Sequence, residues 1–433
     1  MHNPDTTDLT DARGVADLLQ ELREAGRQEA AATLASRAAT HTPLTNPHDL
    51  AHLLKELRWA GQEEAVQALL ARDPATHTTL THPGDIADLL QELRKAGRKE
   101  AAATLASRAA THTTLTAPVG VARLLKELRE AGQEEAEEAV QALASRAATH
   151  TPVTNPGGVA RLLQELREAG RKEAAATLAS RAATHTTLTD PHGVARVLQE
   201  LRWAGQEEAV QALASRAATH TPLTDPDGVA GLLGELREAG QEEAVQALLA
   251  RDPATHTTLT HPGGIADLML ELREAGQEEA VQALASRAAT HFPLTHPGGI
   301  ADLMLELREA GQEEAVQALL ARDPAAHTTL THPYGVARLL KELREAGQKE
   351  AVQALLARDP ATHVDLTDPY GVARLLQKLR EAGQEEAVQA LVSRAATHTP
   401  LTNPYGIAYL LQELREAGQE DAAKTVERRA LDT

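Results

Sequence analysis

The sequence predicts an all-α solenoid of twelve stacked helical hairpins, and three observations predict it. A Leu-Thr dipeptide (Val-Thr once) recurs at Leu9, Leu44, Leu80, Leu115, Val153, Leu188, Leu223, Leu259, Leu294, Leu330, Leu366 and Leu401. The intervals are 35 or 36 residues, with a single one of 38, a period that marks a repeat architecture. Ala, Leu, Glu, Gln and Arg dominate, and all favour helix. Proline before and glycine within most units punctuate two helix-length segments.

Each element follows in order along a unit. Thr-x-Pro opens the first helix, as in Thr189, Asp190 and Pro191, with proline at an early position where its missing N–H costs little. The segment GVARLLQELR continues it, and Ala-Gly ends it with a glycine C-cap. The second helix runs QEEAVQALASRAATH and stops before the Thr/Pro-rich joint, or before the Asp-Pro of the longer form LLARDPATH. That longer form accounts for the 36-residue intervals, and EEAEEA at 134–139 accounts for the 38. In unit six, Val194, Val197, Leu198 and Leu201 make an apolar stripe at helical spacing. Ala209, Val210, Ala212 and Leu213 offer a small face on the second helix. Neither stripe can be buried alone, so units must stack. The organisation expected is an N-terminal arm at 1–8, eleven hairpins in one solenoid at 9–400, and a twelfth, capping hairpin at 401–433. Lys424, Glu427, Arg428 and Arg429 fit the polar cap. The absence of a capping helix at the front raises end-to-end self-association.

Composition limits the function classes. The 433 residues carry a net charge of −19, with 2% aromatic residues and no cysteine. Disulfides, thiolate metal sites and cysteine nucleophiles are excluded. Acidic charge disfavours phosphate-bearing partners and anionic membrane surfaces. No apolar run approaches the ~20 residues that span a bilayer, and no signal peptide is visible, so a cytoplasmic protein is expected. No Gly-rich phosphate loop, G-x-S-x-G or H-E-x-x-H occurs, so no enzyme and no cofactor are expected.

The phrase Leu-x-x-Ala-Gly-x-x-Glu-Ala-x-x-x-Leu, at Leu343, Ala346, Gly347, Glu350, Ala351 and Leu355, resembles the hairpin of tetratricopeptide-like and pentatricopeptide-like repeats. The resemblance covers all twelve units. It implies helix-turn-helix units in a right-handed superhelix, and its pentatricopeptide branch implies RNA read one base per unit. The first base-reading position would fall on Asp17, His52, Asp88, Arg123, Arg161, Arg196, Gly231, Asp267, Asp302, Arg338, Arg374 and Tyr409. The second falls on proline in eleven units and on Ala12 in the other. Proline has no hydrogen-bonding side chain, so the base code is missing.

A variable stripe carries the functional expectation. Positions 4, 8, 11 and 15 after each opening residue share the helix face opposite the core. They hold six of the seven aromatic residues, Phe292 being the exception. Both tryptophans, Trp59 and Trp203, stand where most units have glutamate. The expected partner-binding residues are His48, His52, Trp59, Arg123, Arg161, His192, Arg196, Trp203, Tyr334, Arg338, Tyr370, Arg374, Tyr405 and Tyr409. Exposed aromatic residues in a row mark a binding surface, and a protein or extended peptide is the expected partner. Single-stranded nucleic acid is the alternative, with the arginines meeting phosphates; a purely architectural rod is the third reading.

Three further rows are assigned structural roles. Glutamate at position 12 (Lys378 in one unit) and arginine at position 14 of every unit predict an exposed inter-unit ion-pair ladder, each pair worth under ~1 kcal/mol. Histidines ending the second helices, His41 to His398, are expected to cap free carbonyls. No metal is expected. His48 and His52, one turn apart with Asp17 and Asp88 at matching positions, are the weak candidate pair.

Overall fold

The structure, a computed structural model, describes residues 9–131 and 134–431, without the side chains of 134–136 and 431. The expected arm at 1–8 lies outside the described residues. Everything else is helix and short connection: 28 helices, with no strand among the described residues. Twelve hairpins account for 24 of the helices. The other four are the single turns Pro74–His77, Pro253–His256, Pro324–His327 and Pro360–His363.

Those four turns refine the expected ending of the longer units. The second helix stops before Asp-Pro, but the chain then resumes one helical turn. Asp73, Asp252, Asp323 and Asp359 take φ of 51–54°, the left-handed region that aspartate tolerates better than most residues. This absorbs the extra residue and returns the chain to the same joint. The three additional residues of unit four lengthen its second helix instead, Glu134–His150.

Hairpin geometry follows the local signals. Eleven first helices begin on proline. In several, an aspartate or asparagine before it caps the helix: Asp190 accepts from the Gly193 amide at 3.0 Å, and Asn155 from Gly158 at 3.0 Å. The turn glycines adopt φ near +70°, as at Gly205 and Gly347, and the Gln206 amide reaches back to the Leu201 carbonyl at 2.9 Å. This is the left-handed helix exit for which glycine is chosen.

The chain divides into two compact units, Met1–Thr221 with Glu235–Val245, and Pro222–Gly234 with Gln246–Thr433. Within each, first helices pack on first helices of the adjoining hairpin and second on second. In unit six Val194, Val197, Leu198 and Leu201 are fully buried. The second-helix face differs from expectation at one residue: Ala212 is exposed, and Leu213, Ala214, Ala217 and Ala218 are buried with Ala209 and Val210. The contact runs as adjacent pairs four residues apart because two neighbouring second helices flank it on both sides. Phe292 is buried at the joint after the second helix of unit eight, where most units carry a buried threonine.

Candidate binding stripe on the first helices

Two arginine rows fix the frame on which the stripe sits. The first is the expected ladder. Arg58 meets Glu92 at 2.6 Å, Arg94 meets Glu127 at 2.7 Å, Arg129 meets Glu165 at 3.1 Å and Arg308 meets Glu342 at 2.8 Å. Its exposure is not as expected. Most of the glutamates are buried, Glu56 and Glu342 to 1% exposure; Glu235, Glu271 and Glu306 are half-buried, and Glu21, which no earlier hairpin covers, is exposed. The buried carboxylates are enclosed between successive first helices, with the arginine across the open side, as Arg58 lies across Glu92 and Arg94 across Glu127. Burial pushes the carboxyls of Glu127, Glu165, Glu200, Glu235 and Glu413 above the ordinary range, against the arginine's opposing pull. Where Lys378 replaces the glutamate, Arg344 takes Glu381 instead, at 3.1 Å.

The second row was not expected. In most units the arginine of the SRAATH or ARDPATH phrase donates to carbonyls at the end of the preceding second helix. Arg181 reaches the Ala148 and Thr151 oxygens at 2.7 and 2.9 Å, and Arg146 those of Ala110 and Thr113 at 2.6 and 2.8 Å. Arg429 reaches Ala396 and Thr399 at 2.9 and 3.0 Å, so it belongs to this row rather than to a polar end cap. The same helix ends receive histidine: His41 Nδ1 lies 3.0 Å from the Arg37 carbonyl, and His220 Nδ1 lies 3.1 Å from that of Arg216. The histidine row thus sits on helix-end carbonyls.

Position 15 turns out to be a second acceptor for the preceding unit's ladder arginine. Arg129 also meets Glu168 at 2.7 Å, and Arg380 also meets Glu416 at 2.8 Å. Trp59 and Trp203 replace that carboxylate with a ring face: Arg23 lies 5.7 Å from the Trp59 ring and Arg167 lies 5.4 Å from that of Trp203. Lys55 adds a closer cation, 4.2 Å over Trp59. A cation–π contact can stand in for an ion pair because the ring face carries partial negative charge. Both tryptophans remain more than half exposed.

Position 8 pairs across neighbouring hairpins. His52 lies 3.8 Å from Asp17, while Arg123 contacts Asp88 and Arg338 contacts Asp302. His48 and His52 therefore diverge: His48 lies 3.9 Å from Asp85. His192 and Arg196 are exposed, and Arg161 and Arg196 line a groove of about 540 Å³ with Lys126 and Gln164.

Units ten to twelve bring five expected residues, four tyrosines and Arg374, into one cluster. Tyr334 and Tyr370 have ring centroids 5.8 Å apart, and Tyr370 and Tyr405 are 5.9 Å apart. Tyr409 packs edge-on to Tyr370 at 5.1 Å. Arg374 lies 5.1 Å from the Tyr370 ring and donates to its hydroxyl at 2.9 Å; that bond holds the guanidinium's pKa above its ordinary value. A groove of about 310 Å³ opens beside the rings, lined by Tyr334, Ala337, Arg338, Lys341, Arg374, Gln377 and Lys378. Most of these cations have carboxylate partners: Lys341 meets Glu342 at 2.8 Å and Lys378 meets Glu381 at 2.9 Å. Arg374 is held by neutral groups, Tyr370 and Gln377. The chain's acidic excess is largely elsewhere, at second-helix starts such as Glu313–Glu314 and Glu385–Glu386.

The hairpins define a tandem helical-hairpin repeat protein. Among solved structures, the chain is similar to the pentatricopeptide repeat protein PPR10 in complex with an 18-nt psaJ RNA element, at 15% identity and a TM-score of 0.36, over 96% of this chain and 68% of that one. It is also similar to PPR10 from maize, at 18% identity and a TM-score of 0.38, over 97% of this chain and 64% of that one. A circular tandem repeat protein is similar at 11% identity and a TM-score of 0.15. No family model and no curated protein matches the chain. At these scores neither the arrangement of hairpins nor a bound ligand carries over, and the repeat class rests on the chain's own helices. No described helix is long and apolar enough to cross a membrane.

Proposed function

We propose that the chain is a non-catalytic repeat scaffold whose first-helix stripe holds an extended ligand, and that units ten to twelve bind single-stranded nucleic acid without reading its sequence. One observation carries this reading: the solvent-facing tyrosine ladder, one ring per hairpin, beside a groove with Arg374, Arg338 and Lys341. Bases stack on such rings whatever their identity, and cations beside them meet the phosphates. Net charge, which argued for a polypeptide partner, is a weaker guide once the acidic residues are placed. Many of the unbalanced ones lie at the starts of the second helices rather than on this face. Bases would stack on the open faces and edges of the rings, since 5.8 Å leaves no room for one between them.

A polypeptide partner is the second reading, and units seven to nine favour it. There the stripe carries Asp227, Asp267, Asp302 and the exposed Leu270, a surface that repels phosphate and suits a basic or apolar segment.

Fluorescence polarisation of labelled single-stranded RNA and DNA at low and high salt tests the proposal. Salt-sensitive binding is expected, weakened about fivefold or more by Tyr334→Ala or Tyr405→Ala, the two exposed rings at the ends of the ladder, since each lost stacking ring costs about 1–3 kcal/mol. Tyr→Phe at the same sites should retain most of it. No binding at about 100 μM protein in low salt, the weak limit of the usual range for non-specific contacts, would discard this reading in favour of a polypeptide.

A further inference from the structure

The glycine at position 5 of ten hairpins is a packing residue. A Cβ on Gly158 would lie 2.7 Å from Pro118, and one on Gly120 would lie 3.1 Å from the Gly84 backbone. Units two and three depart from it with Asp49 and Asp85. Beside Asp85 are two imidazoles, His48 at 3.9 Å and His82 at 4.0 Å. His82 stands at the helix cap and, like His261, His296 and His332 in that role, makes no capping bond with its side chain. Asp88 lies one turn along from Asp85, and one ligand atom from each of His48, Asp85 and Asp88 falls within 4.8 Å of the others. A groove of about 550 Å³, lined in part by His48, Asp49, His82 and Asp85, opens the cluster to solvent.

From this arrangement we propose that His48, Asp85 and Asp88 form a binding site for a divalent transition metal of the zinc class, joining the first helices of units two and three. Imidazole with carboxylate suits such ions. Ligand bonds of about 2.0–2.2 Å put two atoms on a tetrahedral ion roughly 3.3 Å apart, so the His48–Asp85 pair at 3.9 Å needs only a small side-chain adjustment. Two stripe acids meet an arginine of the next hairpin, Asp88 with Arg123 and Asp302 with Arg338. Asp85, among the described residues, has imidazoles as its ion-pair neighbours, and a bound cation would supply the positive charge. Asp88 also contacts Arg123, which opposes a cation there and sets the affinity below that of a closed structural site. The site departs from the sequence expectation of no metal, and its ligands are not the His48–His52 pair.

Titration of the full chain with Zn²⁺ alone, followed by calorimetry and by competition with a chelating dye, tests the site. One ion per chain should bind ahead of any weaker uptake by the histidine row. Asp85→Gly restores the residue of the other ten hairpins and so preserves packing; it should weaken that ion more than tenfold, beyond about the lower bound for losing a mere supporting partner. His48→Ala should do the same, and His52→Ala should leave it unchanged. Absence of a strong first ion, or the same ion bound by Asp85→Gly, overturns the proposal, with or without nucleic-acid binding by the tyrosine ladder.

Discussion

The two arginine rows do the same job with opposite chemistry. On the first helices, Arg129 joins one hairpin to the next through the buried carboxylate of Glu165, 3.1 Å away. On the second helices, Arg181 and Arg216 reach back to the preceding hairpin through peptide carbonyls. A carbonyl at a helix end needs a donor and has no other state to adopt. A carboxylate can take up a proton, and it has already lost solvation by entering the stack. The comparison teaches that repeated arginines of one chain can differ in what they stabilise: one row satisfies backbone that folding leaves open, and the other compensates a charge that folding has buried.

The largest effect is expected from the carbonyl row. Arg216→Ala removes donors 2.5 and 3.0 Å from the Ala183 and Thr186 oxygens, and charged donors to such acceptors are worth about 1.5–3 kcal/mol each at most. A loss of about 2–3 kcal/mol in denaturant unfolding is expected. Arg129→Ala should cost less, about 1–2 kcal/mol, since it leaves Glu165 without its partner but the arginine itself is partly solvated. Were Arg129→Ala the more damaging, the ladder rather than the carbonyl row would be the principal tie between hairpins.

Trp203→Glu should change stability by less than about 0.5 kcal/mol, because it exchanges a cation–π contact with Arg167 for the ion pair most units make. Thermal melts check this, and they separate two roles for the tryptophans. An unchanged melt with weaker ligand binding marks Trp203 as a contact residue; a lowered melt marks it as part of the ladder.

Much of the fold was legible because its signals are local. Pro191 and Gly205 act on their own backbone, and the leucine stripe of unit six needs only helical spacing. The cross-hairpin tyrosine contacts were legible as well, since Tyr334, Tyr370 and Tyr405 occupy the same position in successive units. The carbonyl row was not, because its acceptors are backbone atoms about 33 residues away, which no residue type advertises. One signal was present: an arginine in the Ala-rich face of every second helix, such as Arg216 between Ala214 and Ala217. Burial of the ladder glutamates was missed because a single-helix projection places Glu200 on a polar flank, and only the next hairpin covers it. Asp85 was missed because its position reads as packing glycine in ten units.

The smallest effect sharpens the comparison most. Glu165 and Glu200 have pKa values raised above the unfolded value by burial. A raised carboxyl favours folding while protonated, so its contribution is fully present below the unfolded pKa and is lost as pH rises through the folded one. Glu168 and Glu381 are shifted the other way by hydrogen bonds, from Gln164 and Arg129 to Glu168 and from Lys378 and Arg344 to Glu381. Their contribution is present above the unfolded pKa and lost as pH falls through the folded one. The two sets oppose each other, so the wild-type melt should vary little between pH 4 and 6 on their account. Glu165→Gln with Glu200→Gln removes only the raised set. At low pH glutamine resembles the protonated acid; at neutral pH the wild type carries the cost of the ionised, buried form. The difference in Tm, variant minus wild type, should therefore increase from pH 4 to pH 7. A decrease would mean that the arginines more than offset burial, and that the first-helix row favours its charged state as firmly as the second-helix row favours its carbonyls.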